Sequence, residues 1–141
     1  MKEEKQIQEF HVDATVENIG KVTQFVDNKL EELGCPIKAQ MQIDIAIDEL
    51  FGNIAHYAYD PDVGPATVQV EVTDNPLAVI ITFIDHGVPY DPLAKEDPDI
   101  TLAIEERQAG GLGIYMVKKS MDEITYEYKN GQNILKIKKN F

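Results

Sequence analysis

The sequence predicts an α+β two-layer sandwich, a mixed, mostly antiparallel sheet with helices on one face. Three observations carry that expectation. Strand-like runs fall in pairs joined by short turn clusters, as hairpins and not as βαβ units. Two adjacent stretches before the first hairpin repeat apolar residues at three- and four-residue steps, the period of a helix packed on one side. The 141 residues amount to one ordinary domain, so both layers share one core over 1–141.

The elements follow in the order β-α-α-β-β-lid-α-β-β. Ile7 to Val12 alternates and reads as a strand. Asp13 and Thr15 offer helix caps before a helix from Val16 to Leu33, whose face is Ile19, Val22, Phe25, Val26, Leu30 and Leu33. Gly34 stops it, and Pro36 opens a second helix that runs to about Tyr59. In its latter half Ile47, Leu50, Phe51, Ile54, Ala55 and Ala58 share one arc, while Asp48, Glu49, Gly52, Asn53 and His56 fall on the other. After the turn cluster at 60–65 come strands Ala66 to Thr73 and Leu77 to Asp85, joined by Asp74-Asn75-Pro76. The second is almost continuously apolar, which places it centrally in the sheet. Periodicity then fails through a stretch punctuated by Pro89, Pro92 and Pro98, a lid expected at about 88–110. A short helix from Ile114 to Met121 and strands at 124–129 and 133–138 close the chain. Asn130-Gly131 is the hairpin turn between them.

Composition narrows the function. Thirteen basic against 25 acidic residues leave a net charge of −12, which argues against generic nucleic-acid or anionic-membrane binding, because phosphate contacts rest on Lys and Arg. A small nucleotide pocket stays open. One cysteine, Cys35, excludes an internal disulfide and a multi-cysteine metal site. No apolar run approaches the roughly 20 residues of a bilayer span, and Met1-Lys2-Glu3-Glu4-Lys5 is charged with no apolar segment behind it. The expectation is a protein of a reducing cytoplasm.

Four groups of residues have chemistry to offer. Glu49 and Asn53 stand one helical turn apart. A carboxylate there can orient a nucleophile or take its proton, and an amide oxygen beside it can join phosphate and water around Mg²⁺; a solvated helix face is the other reading. Asp85 ends the apolar strand and is followed by Gly87. The pair fits either a carboxylate that accepts from a ligand amino group, or a strand-terminating turn. Gly110-Gly111-Leu112-Gly113 precedes a helix, as an anion-binding start or as a hinge. It is neither a Walker A loop nor a Rossmann fingerprint. Arg107 is the only arginine among the 13 basic residues and sits beside that cluster, where it would pair with phosphate or with Glu105 or Glu106. The three histidines, His11, His56 and His86, lack metal-site spacing.

The order of these groups is more specific than any of them. Glu49-Leu50-Phe51-Gly52-Asn53-Ile54-Ala55-His56, Asp85-His86-Gly87-Val88-Pro89 and Gly110-Gly111-Leu112-Gly113-Ile114-Tyr115 resemble the N, G1 and G2 boxes of the Bergerat-fold ATPases, the gyrase, Hsp90, histidine-kinase and MutL relatives. Within them the chain is most similar to the stand-alone anti-sigma-factor serine/threonine kinases, a likeness that continues through Met121-Asp122-Glu123-Ile124. The resemblance implies ATP and Mg²⁺. Asn53 would hold the metal, Glu49 would act as general base, and Asp85 would accept from the adenine amino group with Gly87 near the ring. Gly110, Gly111, Leu112 and Gly113 would wrap the phosphates, and Arg107 would contact the γ-phosphate. Two departures stand out: position 89 is proline where the box often has glycine, and His56 precedes the place where many members carry histidine, held here by Tyr57. No histidine is given a role.

The implied activity is phosphorylation of a serine on a small anti-sigma-factor antagonist in a partner-switching system, with a sigma factor as second partner and a homodimer as the assembly. The alternative is a non-catalytic ATP-binding protein that sequesters a partner. A sensor histidine kinase would need a phosphoacceptor hairpin that this chain lacks.

Overall fold

The computed structural model describes residues 7–94 and 112–141. Its elements are β1 (Ile7–Asp13), α1 (Ile19–Glu32), α2 (Ile37–Asn53), β2 (Pro65–Thr73), β3 (Ala78–Asp85), α3 (Leu112–Ser120), β4 (Glu123–Lys129) and β5 (Gln132–Asn140). The strands form one sheet in the order β1-β2-β3-β5-β4. The near-continuous apolar strand is central, as its composition requires.

All four pairings are antiparallel, so the expected mostly antiparallel sheet is antiparallel throughout among the described residues. The reason is the placement of the last strand. After α3 the chain returns as β4 running in the direction of β3, but β5 folds back and inserts between them.

Pleating sorts the side chains in register. Val68, Phe83 and Leu135 form one row on the inner face, and Val70, Ile81 and Ile137 the next. Against these rows lie Val22, Val26 and Leu30 of α1, Ile43, Ile47, Leu50 and Phe51 of α2, and Ile114 and Val117 of α3, all buried in one core. Phe10 of β1 stacks on Phe25 of α1 with ring centres 5.2 Å apart. Gly52, placed on the polar arc by periodicity, is buried in contact range of Ile19.

The helix boundaries hold one success and two corrections. Gly34 takes φ +68°. Its N–H donates to Glu31 O and that of Cys35 to Leu30 O at 3.0 Å, which closes α1 in the double-bonded glycine manner. At the other end neither Asp13 nor Thr15 provides a side-chain cap. A 3₁₀ turn at Val16–Asn18 leads into α1 instead, and the Asn18 amide donates back to Asp13 O at 2.9 Å. The second helix does not run unbroken to Tyr59: α2 stops at Asn53 and widens into a π turn over Ile54–Ala58. This turn presents the Ala58 carbonyl to the loop after β3, where Val88 N–H donates to it at 2.9 Å.

Between α1 and α2 lies a polar pair. Asp27 and Asp44 approach each other, and one oxygen of each is buried with no hydrogen-bond donor among the described residues. Burial, reinforced by the carboxyl–carboxyl contact and the charge of Asp27, pushes the Asp44 carboxyl up to about 7. The same desolvation raises the nearby Cys35 thiol, with Asp27 and Asp44 adding to it and Lys139 opposing.

Candidate functional site

At the end of the core where α2 gives way to its π turn, a cavity opens between the helix and the strand ends. Leu50, Asn53, Ile54, Ala58, Phe83, Asp85, Val88, Tyr90, Tyr126 and Asn133 are among its walls. The helical spacing places Glu49 beside Asn53, and the amide nitrogen of Asn53 stands 3.5 Å from Glu49 Oε1, the long limit of a hydrogen bond. That orientation turns the Asn53 carbonyl oxygen away from the carboxylate.

Gly113, near the start of α3, completes this side. A Cβ built on it would collide with the Glu49 carboxylate, so glycine is what lets the helix start reach that group. Gly87 is also a close-approach glycine, but what fills the space of its missing side chain is the backbone of Ala58. Its small size therefore serves the contact between the π turn and the loop after β3. Tyr59 reinforces the same contact: its hydroxyl donates to Pro65 O at 2.6 Å and accepts from His86 N–H at 2.8 Å.

Asp85 is the floor of the cavity, only 3% exposed. Its Oδ1 accepts from Gly87 N–H at 2.8 Å and from the Asn133 amide at 2.9 Å. Its other oxygen, Oδ2, receives no donor from the described residues and remains an acceptor. A buried carboxylate with half its acceptor capacity unclaimed at a cavity wall is suited to a ligand that brings an N–H.

Asn133 was not singled out by sequence reasoning. It lies opposite Asp85 in register and is 5% exposed. Its amide nitrogen donates to Asp85 and to Val88 O at 2.8 Å, while its oxygen accepts from Tyr126 O–H at 2.5 Å and Tyr90 N–H at 3.1 Å. The signal was a polar residue in the inward alternation of Asn133, Leu135 and Ile137.

Glu49, Asn53 and Gly113 thus meet on the helical side, and Asp85 and Gly87 lie at the strand side. Leu112 is the first residue of α3. Arg107, Gly110, Gly111 and most of the expected lid lie outside the described residues. His56 is exposed. Among the described residues no group of three or more His, Cys, Asp or Glu side chains could cage a metal. A single amide oxygen fits instead an ion that takes its remaining ligands from phosphate and water, as Mg²⁺ does.

The chain belongs to the histidine kinase-like ATPase domain family, whose profile matches residues 12–139. It is 24% identical over 98 residues to the serine/threonine-protein kinase BtrW of Bordetella bronchiseptica, a match covering 70% of this chain and 68% of the relative. It is 33% identical over 98 residues to the serine-protein kinase RsbW of Bacillus cereus, covering 67% of this chain and 60% of the relative. RsbW of Bacillus anthracis matches to the same extent. Among solved structures, the RsbU and RsbW domains of Rv1364c from Mycobacterium tuberculosis share the fold. That match has a TM-score of 0.65 at 19% identity and spans 94% of this chain and 32% of the other. No helix among the described residues is long and apolar enough to cross a membrane.

Proposed function

We propose that this protein is an ATP-dependent protein serine/threonine kinase of the anti-sigma-factor type. Its substrate is a serine on a small anti-sigma-factor antagonist in a cytoplasmic partner-switching system. The observation that carries the reading is Asn53, with Glu49 beside it on the helix, and the half-claimed Asp85 on the walls of one cavity. The relatives named as serine kinases support it.

In this reading Asp85 Oδ2 accepts from the adenine amino group, and the apolar walls at Leu50, Ile54 and Phe83 hold the ring. Asn53 would hold Mg²⁺, which neutralises phosphate charge when bound. Glu49 orients the seryl hydroxyl and takes its proton as the oxygen attacks the γ-phosphate, a transfer that depends on positioning and charge more than on covalent help. Gly110, Gly111, Leu112 and Gly113 would let the chain wrap the phosphates, and Arg107 would meet the γ-phosphate. A sigma factor is the second partner and a homodimer the assembly.

The test is radiolabelled ATP with purified protein and candidate antagonists. Wild type is expected to label a serine. Glu49→Ala should lose at least ~100-fold in rate and keep ATP binding by calorimetry. A protein that binds ATP and controls its partner, with no labelling by wild type or variant, would be the sequestering module instead.

A further inference from the structure

Asn133 uses all of its hydrogen-bonding capacity within the protein, two donors and two acceptors. It therefore has nothing left for a ligand. Its orientation is also determined. Turning the amide over would set its NH₂ against the Tyr90 N–H and its oxygen against Val88 O and Asp85 Oδ1, donor on donor and acceptor on acceptor. The Tyr126 hydroxyl and the loop backbone thus force an N–H toward Asp85.

The consequence falls on Asp85. With two N–H groups already on Oδ1, Oδ2 is the oxygen left to accept from a ligand. A ligand bearing an exocyclic amine satisfies it. One bearing a carbonyl oxygen in that place sets acceptor against acceptor. We propose that Asn133 is a positioning residue that makes the cavity select an amino over an oxo group on the bound base. The inference rests on the nucleotide reading of the cavity given above.

The probe pair is ATP and inosine triphosphate, which differ in the 6-amino against the 6-oxo group and in the N1–H that accompanies the oxo form, titrated by calorimetry from pH 5.5 to 8. Wild type is expected to prefer ATP by roughly tenfold or more. Asn133→Asp replaces the donor with a group that donates only while protonated. Its ATP affinity should fall roughly tenfold at pH 8 and return toward wild type at pH 5.5, where the two carboxyls share a proton. Around this pair lie Tyr126, Tyr128 and Asp91 on one side and Tyr59 and His86 on the other. Burial raises both the Tyr126 and Tyr59 hydroxyls, so neither ionises in this range. His86 is common to wild type and variant, and the difference between their profiles removes it.

Asn133→Ala, which is smaller and cannot titrate, should lower the ATP preference at least about fivefold at every pH. The proposal is overturned if Asn133→Asp matches wild type throughout or is weakened equally at all pH values. Full ATP preference in Asn133→Ala overturns it as well. Failure of wild type to bind either nucleotide would overturn the kinase reading with it, whereas wild-type binding with a flat variant profile sinks this inference alone.

Discussion

Two buried polar clusters in this molecule obey opposite rules. At the strand ends, Asp85, Asn133, Tyr126 and the loop backbone match donors to acceptors, leaving one oxygen that faces the cavity. Between α1 and α2, Asp27 and Asp44 bring acceptor to acceptor, and no donor among the described residues stands between them. Only a proton reconciles the second pair. Burial, with a second carboxyl where a donor would stand, drives Asp44 toward the acid form.

The comparison is broken most severely by Asp85→Leu. Removing the acceptor leaves the Gly87 N–H and the Asn133 amide facing an apolar group, and urea denaturation should show a loss of about 3 kcal/mol. Nucleotide binding should disappear with it. A loss below about 1 kcal/mol would mean that water replaces the carboxylate and the network is not closed.

Next in size is a pH effect from the other cluster. The Asp44 carboxyl moves from its ordinary 3.8 to about 7 on folding. The folded state therefore binds more proton than the unfolded chain between these values. The stabilisation from this proton is fully present below about pH 4, is lost as pH climbs through 7, and is absent above it. After allowance for the solvent around a partly exposed pair, about 1 kcal/mol is at stake. Melting temperature should fall by a few degrees from pH 5 to 8, and Asp44→Asn, whose amide donates to Asp27 at any pH, should flatten that contribution. An unchanged slope in the variant would show that the pair does not carry it.

The smallest effect sharpens the first cluster. Tyr126→Phe removes one of two donors to the Asn133 oxygen, and the Tyr90 N–H remains. The expected cost is about 1 kcal/mol in unfolding free energy. A cost equal to that of Asp85→Leu would mean that the tyrosine, not the aspartate, anchors the group.

The sequence made the fold readable where local chemistry decides it. The apolar run of β3 announced a central strand, and Asn130 and Gly131 both take positive φ in the predicted turn. It misled where several local options compete. Asp13 and Thr15 are good caps in isolation, but the 3₁₀ turn lets Asn18 bind back to Asp13. Periodicity carried α2 onward to Tyr59 because a π turn keeps an apolar face while changing its hydrogen bonds. In the site, Glu49 and Asn53 were legible because four residues on a helix are neighbours by construction. Asn133 was not, since its pairing with Asp85 arises from strand register across 48 positions. The space at Gly87 was legible as a glycine but not as room for the Ala58 carbonyl.

The insertion of β5 between β3 and β4 has a consequence for how the protein is made. Chains emerge from the ribosome amino end first and begin folding as they emerge. Asp85, α2 and the π turn that line the cavity are synthesised before the strand that supplies Asn133. Until β5 is available, Asp85 lacks the Asn133 donor, and β4 has no neighbour to join it to the sheet. The nascent chain therefore carries an unfinished cavity until β5 emerges, and the strand that completes the sheet completes the hydrogen bonds around Asp85 in the same step.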